Sequence, residues 1–133
     1  LPISDVVHDN ENLGASVASG SFITEGMIIL PCSMKTLSSI SNGFSSTLID
    51  RAADVILKEG RKLVISPRET PLSSIHLENM LKLSKIGVRI VPPMPGFYSK
   101  PKSMDDIINH HVMKILDQFN INICNDLRWE GNK

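Results

Sequence analysis

An α/β fold, with a parallel sheet covered on both faces by helices, is what this sequence predicts, and three observations carry it. The apolar runs "GMIILP", "KLVIS" and "VRIVPP" read as buried strands. Helical segments lie between and after them, giving the order βααβαβα. Each strand also ends in proline or small polar residues, in "LPCSMKT", "ISPRETP" and "VPPMPGFYSK".

The elements follow in turn. "NLGASVAS" has short helical character and stops at Gly20. "GMIILP" is branched and apolar enough for a buried strand closed by Pro31. "KTLSSISNGF" reads as a short helix ending near Asn42-Gly43, and "TLIDRAADVILKEG" as an amphipathic one with Leu48, Ala52, Val55 and Ile56 on one face and Gly60 as its stop. "KLVIS" is the second strand and "SPRETPLSS" the loop after it. "SIHLENMLKLSKIG" is the third helix, carrying Ile75, Met80, Leu83 and Ile86 among its apolar residues. "VRIVPP" is the third strand. "SMDDIINHHVMKILDQF" is a long helix with Ser103 as N-cap and Asp105 and Asp106 in the first turn, where the macrodipole favours acids.

The bulk numbers fit one soluble domain of 133 residues, 41% hydrophobic and 21% charged. Its 14 basic and 14 acidic side chains balance, which argues against nucleic acid or an anionic membrane as partner. The apolar runs are too short to span a bilayer and no secretory pattern opens the chain, so a cytoplasmic protein is expected. Cys32 and Cys124 lack metal or redox spacing and read as core residues. His8, His76, His110 and His111 show no zinc-site spacing, so no metal is expected. The chain opens on Leu1 and a polar loop with no strand before it, which suggests a missing front end.

In a parallel sheet the C-terminal strand ends share one edge, where ligands bind. Those ends carry Ser33, Lys35 and Thr36, then Arg68 and Glu69, then Tyr98 and Lys100. Hydroxyls, fixed cations and helix-start amides are the ingredients of a phosphate site, so a phosphorylated cofactor or substrate is the expected ligand class. Neither glycine-rich phosphate fingerprint is present. Plainer readings stand beside this one: Lys35 as a surface lysine, Thr36 as a helix cap, Arg68-Glu69 as a local ion pair, and Arg51 and Lys58 on a solvated helix face.

Taken in order, "SGSF", "GMIILPCSMKTLSSI", "RAADVILKEGRKLV", "PRETPLSSIHLENMLKLSKIGV", "VPPMPGFYSKP", "ILDQF" and "RWEG" resemble the flavin prenyltransferases of the UbiX/Pad family over nearly the whole chain. The resemblance implies a Rossmann-like, flavodoxin-like three-layer αβα sandwich of the HFCD flavoprotein type. It implies a homo-oligomer, often a dodecamer, that joins the dimethylallyl group of dimethylallyl phosphate to reduced FMN. The product, prenylated FMN, serves a UbiD-type aromatic acid decarboxylase, and no metal is needed.

By the same resemblance, Ser33, Met34, Lys35 and Thr36 match the family's FMN-contacting S-[MI]-K-T segment, and Arg68 its flavin-contacting arginine. Ser19, Gly20 and Ser21 match the loop near the flavin ring. Glu69 matches the acid beside the reacting centre. Tyr98, Lys114, Arg51 and Lys58 match the positions that hold dimethylallyl phosphate, with Lys58 also assigned a catalytic part at the leaving group. The family further suggests that several of these groups meet across subunit interfaces.

The sequence departs from the family in three places. The N-terminal strand and its glycine-rich FMN-phosphate loop are absent, so residues 1–133 are expected to be the C-terminal part of a single flavoprotein domain, and inactive alone. Ser46 stands where many relatives carry an acid, and Lys114 where arginine is common, exchanging a bidentate contact for a point charge. Two other readings remain. One is a flavin-dependent cysteine decarboxylase, whose "PASANT"-like segment is here "PCSMKT"; the other is a flavin-binding subunit without activity.

Overall fold

The structure is a computed structural model, and residues 3–123 are described. Cys124 and the "RWEG" segment lie outside the described residues. The chain falls into two compact units, Leu1–Ile90 and Val91–Lys133.

The first unit holds a three-stranded parallel sheet in the order β1 (Gly26–Cys32), β2 (Lys62–Pro67), β3 (Arg89–Ile90). Its helices are α1 (Met34–Ser41), α2 (Leu48–Lys58) and α3 (Ser74–Lys85), with a 3₁₀ turn at Ser16–Ala18 in place of the first short helix. β1 does not stop at Pro31. It runs on to Cys32 through a break in register between Ile29 and Cys32, where a proline without an N–H can be accommodated. β3 is shorter than "VRIVPP" suggests: only Arg89 and Ile90 pair with β2, and Pro92 and Pro93 have no amide to extend the ladder.

One face of the sheet makes the core. Met27 and Ile29 on β1 sit beside Leu63 and Ile65 on β2, and successive strand side chains alternate between faces. Against them pack Leu37 and Ile40 from α1, Ala53 and Ile56 from α2, and Leu83 from α3. All three helices of this unit therefore bury their apolar stripes on the same face. On the opposite face Val64 is fully buried, while Ile28 and Leu30 remain 38% and 49% exposed.

The expected apolar face of α2 is the buried one, since Leu48, Ala52, Val55 and Ile56 are all within the core. α3 behaves differently. Leu83 is buried, but Ile75 and Ile86 stay exposed, so less of its apolar surface is used than its composition suggests.

Helix starts are set by side chains that accept the unpaired first-turn amides. Thr47 accepts from Asp50 N–H, and Ser73 forms a reciprocal pair with His76, whose Nδ1 takes the Ser73 N–H. Asn10 reaches α2 from the N-terminal loop: its carbonyl accepts the Leu48 N–H at 2.8 Å and its Oδ1 the Ile49 N–H at 3.0 Å.

The second unit, taken by itself, contains a 3₁₀ turn at Phe97–Ser99 and the helix α4 (Met104–Asp117). Ser103 caps α4 by accepting from Asp106 N–H, and Asp106 in return accepts the Lys102 N–H at 2.7 Å.

Candidate functional site

The ends of β1 and β2 are brought level by their pairing. Cys32 lies opposite Pro67, so Ser33 and Arg68 are the next residues on adjacent parallel strands. The chain then turns into α1 on one side and into the 68–73 loop on the other. Between them is a cleft of about 380 Å³ lined by Ser33, Met34, Thr36, Arg68 and Glu69, with Ile29, Pro31 and Ile49 as its apolar part.

Ser33 is the pivot of this cleft. Its Oγ accepts the Thr36 N–H and donates to Thr36 Oγ1, both at 3.1 Å, which fixes the start of α1. The cap is thus Ser33, and Thr36 is the capped residue. The Met34 and Lys35 amides stay at the positive end of the helix, where an anionic or electron-rich group is favoured. Lys35 itself is exposed and is not among the cleft's lining residues. Glu69 is also exposed, with its Oε1 accepting the Thr70 N–H at 3.0 Å.

Cys32 closes the floor of the cleft as a core residue. Burial, and next the charge of Asp50, push its thiol up to about 11, so it remains protonated and unreactive at neutral pH. Buried Asp50 is satisfied by Ser46, whose N–H and Oγ–H both donate to Oδ2. That contact gives Ser46 a local structural role at the start of α2.

A second pocket, of about 490 Å³, gathers Ser19, Gly20 and Ser21 with Arg51 and Lys58. Arg51 and Lys58 are seven residues apart on α2, two turns along one face, so their charges point the same way. Lys58 Nζ lies 3.8 Å from Glu59 Oε1 with both side chains well exposed, a loose pair that an arriving anion can displace. The loop is held by Arg61, whose guanidinium donates to Gly20 O at 2.8 Å and to Phe22 O at 3.0 Å. Gly20 leaves room beside the Glu59 carboxylate, which would have to swing aside for a Cβ there.

In the second unit, Tyr98 packs edge-on against His110, with ring centroids 6.5 Å apart. Lys114 lies one turn further along α4 on the same face as His110. Gly96 allows the tyrosine ring to fold back, since a Cβ would sit 2.8 Å from Tyr98 Cε1. Neighbouring His111 is held below the usual histidine range by burial and by His110.

The residues expected from the sequence thus fall into three groups. Ser33, Met34, Thr36, Arg68 and Glu69 come together at the strand ends. Ser19, Gly20, Ser21, Arg51 and Lys58 come together beside α2. Tyr98 and Lys114 belong to the second unit. Arg61 and Asn10, which hold the loop and the start of α2, are positioning residues that the sequence reading missed. Among the described residues no group of three or more His, Cys, Asp or Glu could hold a metal, and no helix is long and apolar enough to cross a membrane.

Comparison with known proteins gives this geometry a context. The Flavoprotein family matches residues 2–116. A probable UbiX-like flavin prenyltransferase of Streptomyces sp. (strain D7) is 56% identical over 129 residues, covering 97% of this chain and 64% of the relative. Flavin prenyltransferase LpdB of Lactiplantibacillus plantarum is 55% identical, covering 98% and 70%. The chain spans about two thirds of the length of these curated relatives.

Among solved structures, a dodecameric FMN-dependent UbiX-like decarboxylase from Escherichia coli O157:H7 superposes with a TM-score of 0.94 at 55% identity, covering 96% of this chain and 69% of that one. AnUbiX (PadA1), in complex with FMN and dimethylallyl pyrophosphate, does so at 0.92 and 50% identity, covering 98% and 69%. The α/β Rossmann-like fold is theirs. On the family match, the identity and the coverage together, the chain belongs to the flavoproteins, within the UbiX-like flavin prenyltransferase family.

Proposed function

We propose that this chain contributes to a flavin prenyltransferase, which joins the dimethylallyl group of dimethylallyl phosphate to reduced FMN and delivers prenylated FMN to a UbiD-type decarboxylase. The observation that carries the reading is the strand-end cleft, where the capped start of α1, Arg68 and Glu69 converge. Its residues fit a flavin. The cleft volume is in the range of cofactor sites, its wall offers Ile29, Pro31 and Ile49 to a flat ring, and its rim offers hydroxyls, helix-start amides and one cation.

Breaking an allylic C–O bond leaves a phosphate and an allylic cation, so fixed cations and donors at the leaving group lower the barrier. In this reading Arg51 and Lys58 supply those charges from α2, and the neighbouring Ser19–Ser21 loop serves the flavin ring. Within the second unit, Tyr98 and Lys114 are phosphate-binding residues in this reading, Lys114 as a point charge. Reduced FMN, when bound, supplies an electron-rich face that meets the allylic cation. Glu69 takes up the proton released as the new ring closes. The assembly is a homo-oligomer, supported by the dodecameric state of the 55%-identical neighbour, and its place of work is the cytoplasm.

The test is an anaerobic incubation of the full-length protein with reduced FMN and dimethylallyl phosphate, followed by mass spectrometry of the extracted flavin. A species heavier by one prenyl unit is expected. Unmodified FMN alone would rule the reading out.

A further inference from the structure

The pocket beside α2 holds one acid among its cations. Its charged lining is Arg51, Lys58 and Glu59, two positive groups against one negative. No structural task accounts for the acid. Glu59 is the C-cap of α2, where the helix dipole disfavours a carboxylate. Among the described residues its side chain accepts no hydrogen bond, and its one ion pair is the 3.8 Å contact with Lys58. Its carboxylate also lies against the Gly20 backbone, which keeps it inside the pocket, between Lys58 and the 19–21 loop.

An anion that takes Lys58 from this pair still has the Glu59 carboxylate beside it. A phosphate monoester carries roughly two negative charges at neutral pH, and the second phosphate of a diphosphate ester adds about one more. Arg51 and Lys58 match the first load, and no further cation lines the pocket to match the second. A like charge a few ångströms away in a largely solvated site weakens binding by about fivefold. Size does not make the choice, since a pocket of about 490 Å³ has room for either ester.

We propose that Glu59 is a specificity-determining residue, whose charge tunes the pocket beside α2 to a phosphate monoester and against the corresponding diphosphate. The inference rests on the reading of this pocket as the dimethylallyl phosphate site.

The test assays the full-length protein anaerobically with reduced FMN and either dimethylallyl phosphate or dimethylallyl diphosphate. In Glu59→Gln the ratio of kcat/KM for the monophosphate to that for the diphosphate should fall about fivefold, and in Glu59→Lys about fivefold again. Salt at about 1 M should shrink both steps, because a charge effect is screened and a packing effect is not. An unchanged ratio, or steps that salt leaves intact, overturns the proposal. Calorimetric titration with inorganic phosphate and pyrophosphate separates this result from a failure of the prenyltransferase reading. Even if no prenylated flavin forms, Glu59→Gln should tighten pyrophosphate about fivefold more than phosphate, in the binding that Lys58→Ala removes. Equal changes for the two anions, or no binding that depends on Lys58, overturns the proposal independently of the enzyme assay.

Discussion

The strand-end cleft and the pocket beside α2 use the same kinds of residue, hydroxyls and cations, but they are assembled by different means. The cleft is built from neighbours. Cys32 pairs with Pro67, the next residues are Ser33 and Arg68, and Ser33 caps the helix it starts. The α2 pocket depends on Arg61 reaching carbonyls 39 and 41 residues away. A site of the first kind is specified by the strands themselves. One of the second kind is only as well placed as the distant contact that holds its loop.

Changes in the two regions should therefore have different signatures. The largest effect is expected from Glu69→Gln, which should slow prenylated FMN formation by about 10²–10⁴-fold while FMN affinity stays near wild type. Equal losses in a single-turnover assay and an FMN titration would make Glu69 structural. Next, Arg61→Ala should lower stability by about 2 kcal/mol in a denaturant melt, because two hydrogen bonds from a charged group are lost. It should also raise KM for dimethylallyl phosphate by releasing Ser19 to Ser21, and an unmoved KM would separate the loop from the substrate.

Smaller effects are expected at the residues that only shape the cleft. Ser33→Ala should cost about 1 kcal/mol and Ser33→Gly only a few tenths, since glycine tolerates the cap position. If the two cost the same, the cap is not what Ser33 provides. Cys32 should show itself only in alkali. Its folded value lies above the usual thiol value, so the folded state holds the proton more tightly and stability is lost as pH rises from 9.0 towards about 11. In Cys32→Ala that decline should be shallower, as read from melts across the range.

What the sequence made legible follows the same division. The α2 stripe, β1, β2 and the Ser103 cap can be read because each depends on local periodicity or on residues three apart. The strand-end residues are legible too, since parallel strands deliver their C-terminal ends to one edge. β3 was over-read because the apolar Val88, Ile90 and Val91 look like a strand whether or not prolines cut its ladder short. Ile75 and Ile86 look like core until the packing of α3 shows only Leu83 fully buried. Asn10 and Arg61 carry no motif at all. Their partners are backbone groups far away in sequence, which no local pattern encodes. The resemblance assigned Ser19–Ser21 to the flavin ring and Arg51 and Lys58 to dimethylallyl phosphate, and that these residues line one pocket is visible only in the structure.

The division of labour between the two regions can be measured directly by crossing two variants with two constants. FMN affinity and KM for dimethylallyl phosphate would be determined for Arg68→Ala and Lys58→Ala in the full-length protein. Arg68→Ala should weaken FMN about tenfold or more, consistent with a lost charge-assisted contact, and Lys58→Ala should raise KM to a similar degree while leaving FMN affinity unchanged. If both variants move both constants equally, the cleft and the α2 pocket are not separate subsites, and the account given for them is wrong.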